Sequence, residues 1–397
     1  MHFADRITRL GTETAFAVSA EAAAFAARGN KVYPFHIGDL NFKTPANIIA
    51  AAVRAMHDGK TGYCPNAGIP QLREILAEHI QTTRGINCSV ENVAIQPGGK
   101  PTISKFLMTL MNPGDEVLYP NPGFPIYESQ IEFHGGKAVP YGYLEGEENF
   151  MIDLDRLQNS ITSRTRLLIL NDLHNPTGAE CTIAELEKLT ELVDRHDLLV
   201  LCDEAYFDIR YEGLSRSFAA LPGMASRCVI LYTFSKRFAM TGWRLGATIG
   251  PKEIIDIIIR LNVNDESCSN HFIQYAAIEG LTGDQTETEQ MLAILEERRD
   301  TAANILNSIE GVHCFRPQAT FYLYPNVTGV MRKTGFDRYD DFRLALLHET
   351  GVSVCTRTHF GRPIGDEKNR YVRVAYAGID TPAIREGLGK FKAFTEG

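Results

Sequence analysis

Apolar positions along the chain fall into two alternating patterns, and together they predict an α/β architecture. Short, mostly apolar runs at Val93–Ile95, Glu116–Tyr119, Leu167–Leu170, Leu198–Cys202 and Val229–Phe234 are rich in β-branched, aliphatic and aromatic residues. Runs of this length without polar alternation fit strands of a parallel sheet covered on both faces. Between them the apolar residues recur at helical spacing. Ala46–Asp58 reads as one helix, and Leu72, Ile75, Leu76 and Ile80 give a second helix its buried face after a Gly/Pro loop. Further on, Thr286-Glu287-Thr288-Glu289 has the form of a capping box. It predicts a long helix to about Ile309, with Met291, Ile294, Leu295, Ala302, Ile305, Leu306 and Ile309 as its stripe and Gly311 closing it. Tyr371–Gly378 is an alternating strand that carries Arg373.

Composition narrows this picture. At 397 residues the chain is long enough for two domains. A net charge of -9 leaves no basic footprint for nucleic acid. None of the eight cysteines, Cys64, Cys88, Cys181, Cys202, Cys228, Cys268, Cys314 and Cys355, has the CxxC spacing of a zinc or redox site, which suits reduced thiols in a cytoplasmic protein. The Ala-rich run Ala15–Ala27 is interrupted by Glu21 and reads as a packed helix rather than a signal peptide. No run reaches the roughly 18 apolar residues of a membrane span.

Chemistry gathers at the strand ends. Lys236 follows the run Val229–Phe234 within TFSKRFAMTGWRLG. An ammonium near a buried strand is costly, its pKa falls, and the amine becomes a nucleophile. Arg244 in the same stretch is a fixed cation suited to phosphate. Asp203 ends Leu198–Cys202 in CDEAY, where a carboxylate needs a cationic partner. QPGGKPTI, after the first strand, lacks the leading glycine of a Walker loop because Ala94 stands there. Its Gly pair before a helix start is nonetheless a phosphate cradle.

Taken together, the lysine box, CDEAY, the NPTG of NDLHNPTG and the terminal YVRVAYAG resemble the class I and II aminotransferases, pyridoxal-phosphate enzymes of fold type I. The resemblance runs over nearly the whole chain with the motifs in order. It implies a mostly parallel seven-stranded sheet in a large domain, here residues 46–285. A smaller α/β domain would combine the 1–45 arm with residues 286–397. Lys236 would form a Schiff base with pyridoxal 5'-phosphate and act as the catalytic base, with Asp203 on the ring nitrogen. Asn175 and Tyr206 would serve the phenolic oxygen, and Phe124 of NPGFPIYE would stack on the ring. Arg244, Thr233, Ser235, Gly99 and Lys100 would surround the phosphate, joined by Tyr63 from a partner subunit of a homodimer. Gly38 and Arg373 would meet the substrate carboxylate, and the Lys100 side chain a distal one.

Departures from the family pattern fall on the substrate side. Asp39-Leu40 and Asn41 replace Glu-Pro and Asp of the arm motif, and CTRTHFG brings Arg357 and His359 where PGSAFG is common. Arg357 is therefore a candidate for a charged substrate group, while His174, beside the NPTG box, reads more readily as structural. Two activities stay open: amino transfer from an L-amino acid, aspartate-like given Lys100, to a 2-oxo acid; or β/γ-elimination, replacement or carbon–carbon bond formation on the same scaffold. A cofactor-binding regulatory module fused to a DNA-binding domain is disfavoured, since only about 45 residues precede the large domain and none forms a basic helix-turn-helix.

Overall fold

Seven strands build one sheet: β1 (Val93–Gln96), β2 (Glu116–Pro120), β3 (Lys137–Tyr141), β4 (Thr165–Leu170), β5 (Leu199–Asp203), β6 (Cys228–Thr233) and β7 (Gly246–Ile249). The computed structural model describes residues 1–11 and 14–396. Across the sheet the order is β1-β7-β6-β5-β4-β2-β3. Neighbours from β6 to β3 run parallel, and β7 is antiparallel to both β1 and β6. The sheet is therefore the mostly parallel α/β sheet expected from the pattern.

The central strands are mostly apolar because both faces of the sheet are covered there. In β4, Leu168 and Leu170 join one core with Leu72, Leu76 and Ile80 of the Pro70–Arg84 helix. Leu167 and Ile169 join another with Phe106, Ile131 and Ile255 from helices on the opposite face. A third core gathers Leu295, Leu306, Phe342, Leu346 and Phe391, and also takes Tyr33 and Phe35 from the N-terminal arm. The arm is tied in by Tyr33–Pro34, which pairs in parallel with Val352–Ser353. Beside this core lies a small antiparallel sheet of β8 (Tyr322–Leu323), β9 (Cys355–Thr356) and β10 (Val372–Ala375), in the order β8-β10-β9. Among the described residues, no helix is long and apolar enough to cross a membrane.

The expected capping box does not form. The long helix spans Thr286–Asn307 with Gln285 at its N-cap and no side-chain cap bond from that residue. Asp284 instead accepts from the Thr286 backbone N–H at 3.1 Å and hydroxyl at 2.7 Å. Glu287 turns away and accepts from the Ala46 N–H at 3.2 Å, at the start of the Ala46–His57 helix. Ile294, placed on the buried stripe by periodicity, is exposed.

The C-terminal ends of β2, β4, β5 and β6 open onto one side of the sheet. Each leads directly into a motif: Asn121–Phe124, Asn171–Gly178, Asp203–Tyr206 and Ser235–Lys236. In open α/β sheets such ends are where ligands bind.

Candidate active site

A cavity of about 430 Å³ lies at these strand ends and reaches the N-terminal arm and the small sheet. Its floor is set by β5. Asp203 is buried, and its Oδ2 accepts from the Tyr127 hydroxyl at 2.6 Å while Oδ1 accepts from the Ala205 N–H at 3.1 Å. Burial pushes the Asp203 carboxyl upward; the Tyr127 and Ala205 donors and the nearby Lys236 charge pull it back. Phe124 sits one wall over, edge-on to Tyr127 at 5.7 Å between ring centroids.

Beyond β6, Thr233 and Ser235 are buried with their hydroxyls 2.8 Å apart. Lys236 follows, and its Nζ donates to the Gly38 carbonyl at 3.1 Å, so the arm and the sheet meet at this amine. Arg244 adopts a left-handed backbone (φ 57°) and donates through Nη1 to the Thr241 carbonyl at 2.7 Å. Opposite stands Gly98, at φ 107°, where a Cβ would come within 2.2 Å of Arg244 Nη2. Glycine is favoured there by the left-handed conformation, and its missing Cβ leaves the Arg244 guanidinium in place. Gly99 then opens the Lys100–Leu110 helix, so cations, hydroxyls and a helix N-terminus converge as an anion site. Lys100 Nζ lies 5.4 Å from the centre of the Phe124 ring.

The far wall centres on Arg373 of β10. It donates from Nη1 to Asn175 Oδ1 at 3.0 Å and from Nη2 to the His36 carbonyl at 2.8 Å. Its plane packs 4.6 Å from the rings of both Tyr322 and Phe360. Its buried Nε has no hydrogen-bond partner among the described residues. The hydroxyls of Tyr206 and Tyr322 are 2.7 Å apart. A Cβ on Gly38 would fall 2.6 Å from the Tyr322 oxygen, which explains glycine at that position. His36 and His359 also line the cavity. Burial holds both below their ordinary value, His36 to about 4, and the Arg373 charge acts in the same direction.

Of the residues expected at the site, Gly38, Gly99, Lys100, Phe124, Asn175, Asp203, Tyr206, Thr233, Ser235, Lys236, Arg244 and Arg373 all line this one cavity. Arg357 does not. It is buried away from it, bonded to Asn121 Oδ1 at 2.7 Å and ion-paired with Glu367 at 2.7 Å, and it borders a separate cavity of about 370 Å³. A guanidinium already neutralised by Glu367 is a structural tie, which corrects its reading as a substrate contact. His174 is likewise outside, buried and stacked on Tyr143 at 4.2 Å. Tyr63 is 89% exposed and borders a neighbouring cavity that shares Arg244. Sequence reasoning missed Tyr127, Tyr322 and His36, and also Phe16 and Ser19 of the Ala15–Ala27 helix, while Asp39, noted in the sequence as a departure on the substrate side, does line the cavity. Only Tyr127 carried a usable signal, one helical turn after Phe124.

An α/β fold whose strand ends combine a lysine, a buried carboxylate, an anion cradle and a buried arginine has the parts of an enzyme site suited to anionic ligands. Residues 30–391 match the family model for aminotransferases of class I and II. The aspartate aminotransferase of Musicola paradisiaca is 35% identical over 377 residues, 94% of this chain and 92% of that protein. That of Bacillus subtilis is 33% identical, covering 100% of this chain and 99% of the relative. Among solved structures, the aspartate aminotransferase of Thermus thermophilus with maleate superimposes with a TM-score of 0.91 at 30% identity, over 99% of each chain. The chain belongs to the class I and II aminotransferase family, whose members generally use pyridoxal phosphate. These relatives favour amino transfer over elimination, replacement or carbon–carbon bond formation.

Proposed function

We propose that this chain binds pyridoxal 5'-phosphate at Lys236 and moves the amino group of an aspartate-like L-amino acid to a 2-oxo acid, as a cytoplasmic homodimer. The observation that carries this reading is the meeting of Lys236, Asp203, Arg244 and Arg373 on one cavity. The residues fit the cofactor: Gly98 leaves room for Arg244, and a cradle of Thr233, Ser235 and the Gly99 helix start suits a phosphate. When bound, the cofactor supplies an electron-withdrawing ring that makes the substrate Cα–H acidic.

The protein's own groups then divide the work. Asp203, oriented by its Tyr127 and Ala205 donors, would hold a proton at the ring nitrogen. Asn175 and Tyr206 donate to the phenolic oxygen, and Phe124 fixes the ring plane. Arg373 clamps the substrate α-carboxylate bidentately, a geometry that lysine lacks, with Gly38 leaving space beside it. Lys236 takes the Cα proton and returns it to the opposite end of the reacting system, as general base and then acid. Lys100, at the cavity edge, meets a distal carboxylate. The Thermus thermophilus relative was solved with maleate, a dicarboxylate, which supports a dicarboxylic substrate class.

The same reading makes residues 1–45 and 286–397 the small domain and 46–285 the large one, in keeping with the core that Tyr33 and Phe35 share with Leu295–Phe391. Tyr63, exposed beside Arg244, would reach the phosphate of the other subunit. Cysteines without metal or redox spacing agree with the cytoplasm. Borohydride reduction of the cofactor-loaded protein followed by peptide mapping is expected to find the pyridoxyl group on Lys236. A label on another lysine, or none, would remove this reading.

A further inference from the structure

The residue that engages Asp203 most closely is one that no motif assigned. Tyr127 lies in the first turn of the Ile126–Phe133 helix and is fully buried, yet it borders the cavity. Its hydroxyl is 2.6 Å from Asp203 Oδ2, a short charge-assisted contact. Oδ1 is taken by the Ala205 N–H at 3.1 Å, and Asn171 Nδ2 holds the Asp203 carbonyl at 3.0 Å. Backbone and both carboxylate oxygens are thereby fixed, and the side chain has one orientation toward the cavity. We propose that Tyr127 is a positioning residue that holds Asp203 aimed at the ring nitrogen of the bound cofactor, where it would keep that nitrogen protonated, an inference that rests on the pyridoxal-phosphate reading above.

Three points favour this over simple packing. A buried carboxylate is driven toward its neutral form, and donors to the ionised form oppose that drive. Around Asp203 the opposing groups are the Tyr127 hydroxyl first, then the Ala205 N–H, then the charge of Lys236. Tyr127 itself stays protonated, since burial and the Asp203 charge raise its pKa well above the ordinary value, so it remains a donor at any working pH. Finally, Tyr127 packs edge-on against Phe124 in the same short segment. One stretch, NPGFPIYE, thus sets the tilt of the ring through Phe124 and its protonation through Tyr127 and Asp203. If Asp203 were neutral, the ring nitrogen would lose the partner that holds its proton, and the pull on the Cα–H bond would weaken.

The test is nitrogen NMR on protein loaded with pyridoxal phosphate labelled with ¹⁵N in the ring, comparing wild type, Tyr127→Phe and Tyr127→His. Wild type is expected to give the signal of a protonated ring nitrogen. In Tyr127→Phe the signal should move toward the unprotonated position, with kcat down roughly ten- to hundredfold, the value of a lost bond to a charged group, and KM nearly unchanged. Tyr127→His, which returns an N–H donor, should move the signal back. A ring-nitrogen signal in Tyr127→Phe equal to wild type, whatever the turnover, overturns the proposal. If the Phe variant takes up no cofactor, Tyr127→Leu, which also removes the donor, decides: a signal there equal to wild type overturns it equally. A wild-type protein that binds no cofactor overturns instead the reading on which the proposal rests.

Discussion

Two cations on the cavity stand in different settings, and the proposed reading gives each of them one carboxylate of a dicarboxylic substrate. Arg373 is buried, oriented by Asn175 and the His36 carbonyl, and flanked by two aromatic rings. Lys100 is exposed at the edge, beside the Phe124 ring. Arg373→Lys should therefore impair every amino-acid substrate, because the fork that matches a carboxylate is lost. Lys100→Met should raise KM for aspartate about tenfold or more and leave alanine within a factor of two, since one charge-assisted contact is removed. Equal losses for both substrates in Lys100→Met would place the distal carboxylate elsewhere. At this scale the sequence is legible where chemistry conflicts with pattern. A lysine or aspartate closing an apolar run, as at Lys236 and Asp203, has no packing explanation and so announces a site. Tyr127 and Tyr322 lie in apolar stretches where a tyrosine is ordinary core, and their hydroxyl contacts come from distant segments. Arg357 misleads for the opposite reason: the cation is visible in CTRTHFG, while the partners that neutralise it, Glu367 and Asn121, are not.

Elements are held to the site by buried charge as well as by apolar packing. Arg84 ends the Pro70–Arg84 helix with its side chain wholly buried. It is ion-paired to Glu204 at 3.1 Å and Asp208 at 3.3 Å, with the Phe207 ring 3.7 Å from its guanidinium. Through Glu204 the helix is anchored one residue from Asp203. Arg84→Met should cost about 3–5 kcal/mol of stability, because Glu204 is left buried without its cation. A denaturation midpoint that stays within a degree of wild type would show that the pair contributes nothing. The long Thr286–Asn307 helix makes a complementary point. Its Thr and Glu residues carry the letters of a capping box, yet Asp284 does the capping and Glu287 serves the neighbouring Ala46–His57 helix. Local letters specify that a helix starts; which carboxylate serves which N–H is decided by the approach of another helix. Asp284→Ala should lower stability by about 1 kcal/mol, and Thr286→Ala by less.

Over the whole molecule, acid sensitivity follows from imidazoles that are buried neutral. Burial lowers His36 to about 4, His79 to about 4 and His174 to about 3, from an ordinary value of 6.5. The unfolded chain takes up protons at these positions below about pH 6.5 while the folded chain does not. Their contribution is complete above that pH and is lost as pH falls toward 4, while Asp172, which burial raises to about 7, takes up its proton in the folded chain over the same window and offsets part of the loss, so stability should fall across it. His79→Phe, which keeps a ring against Tyr232, should flatten the drop; an unchanged slope would assign it to other groups. The sheet was readable at this scale because five of its strands are short, mostly apolar runs. Harder to read were the antiparallel β7, which the strand pattern does not distinguish, and the closing of the arm onto Val352–Ser353, a pairing between distant parts of the chain.

The most direct test of the whole account is a half-reaction. Cofactor-loaded protein is mixed with aspartate alone, without any 2-oxo acid, and the cofactor spectrum and products are followed. The account predicts stoichiometric conversion to the aminated cofactor with one equivalent of oxaloacetate, absent in Lys236→Ala and weak with alanine in place of aspartate. Release of ammonia, loss of a side-chain group, or a coupled product with the cofactor left unaminated would contradict it.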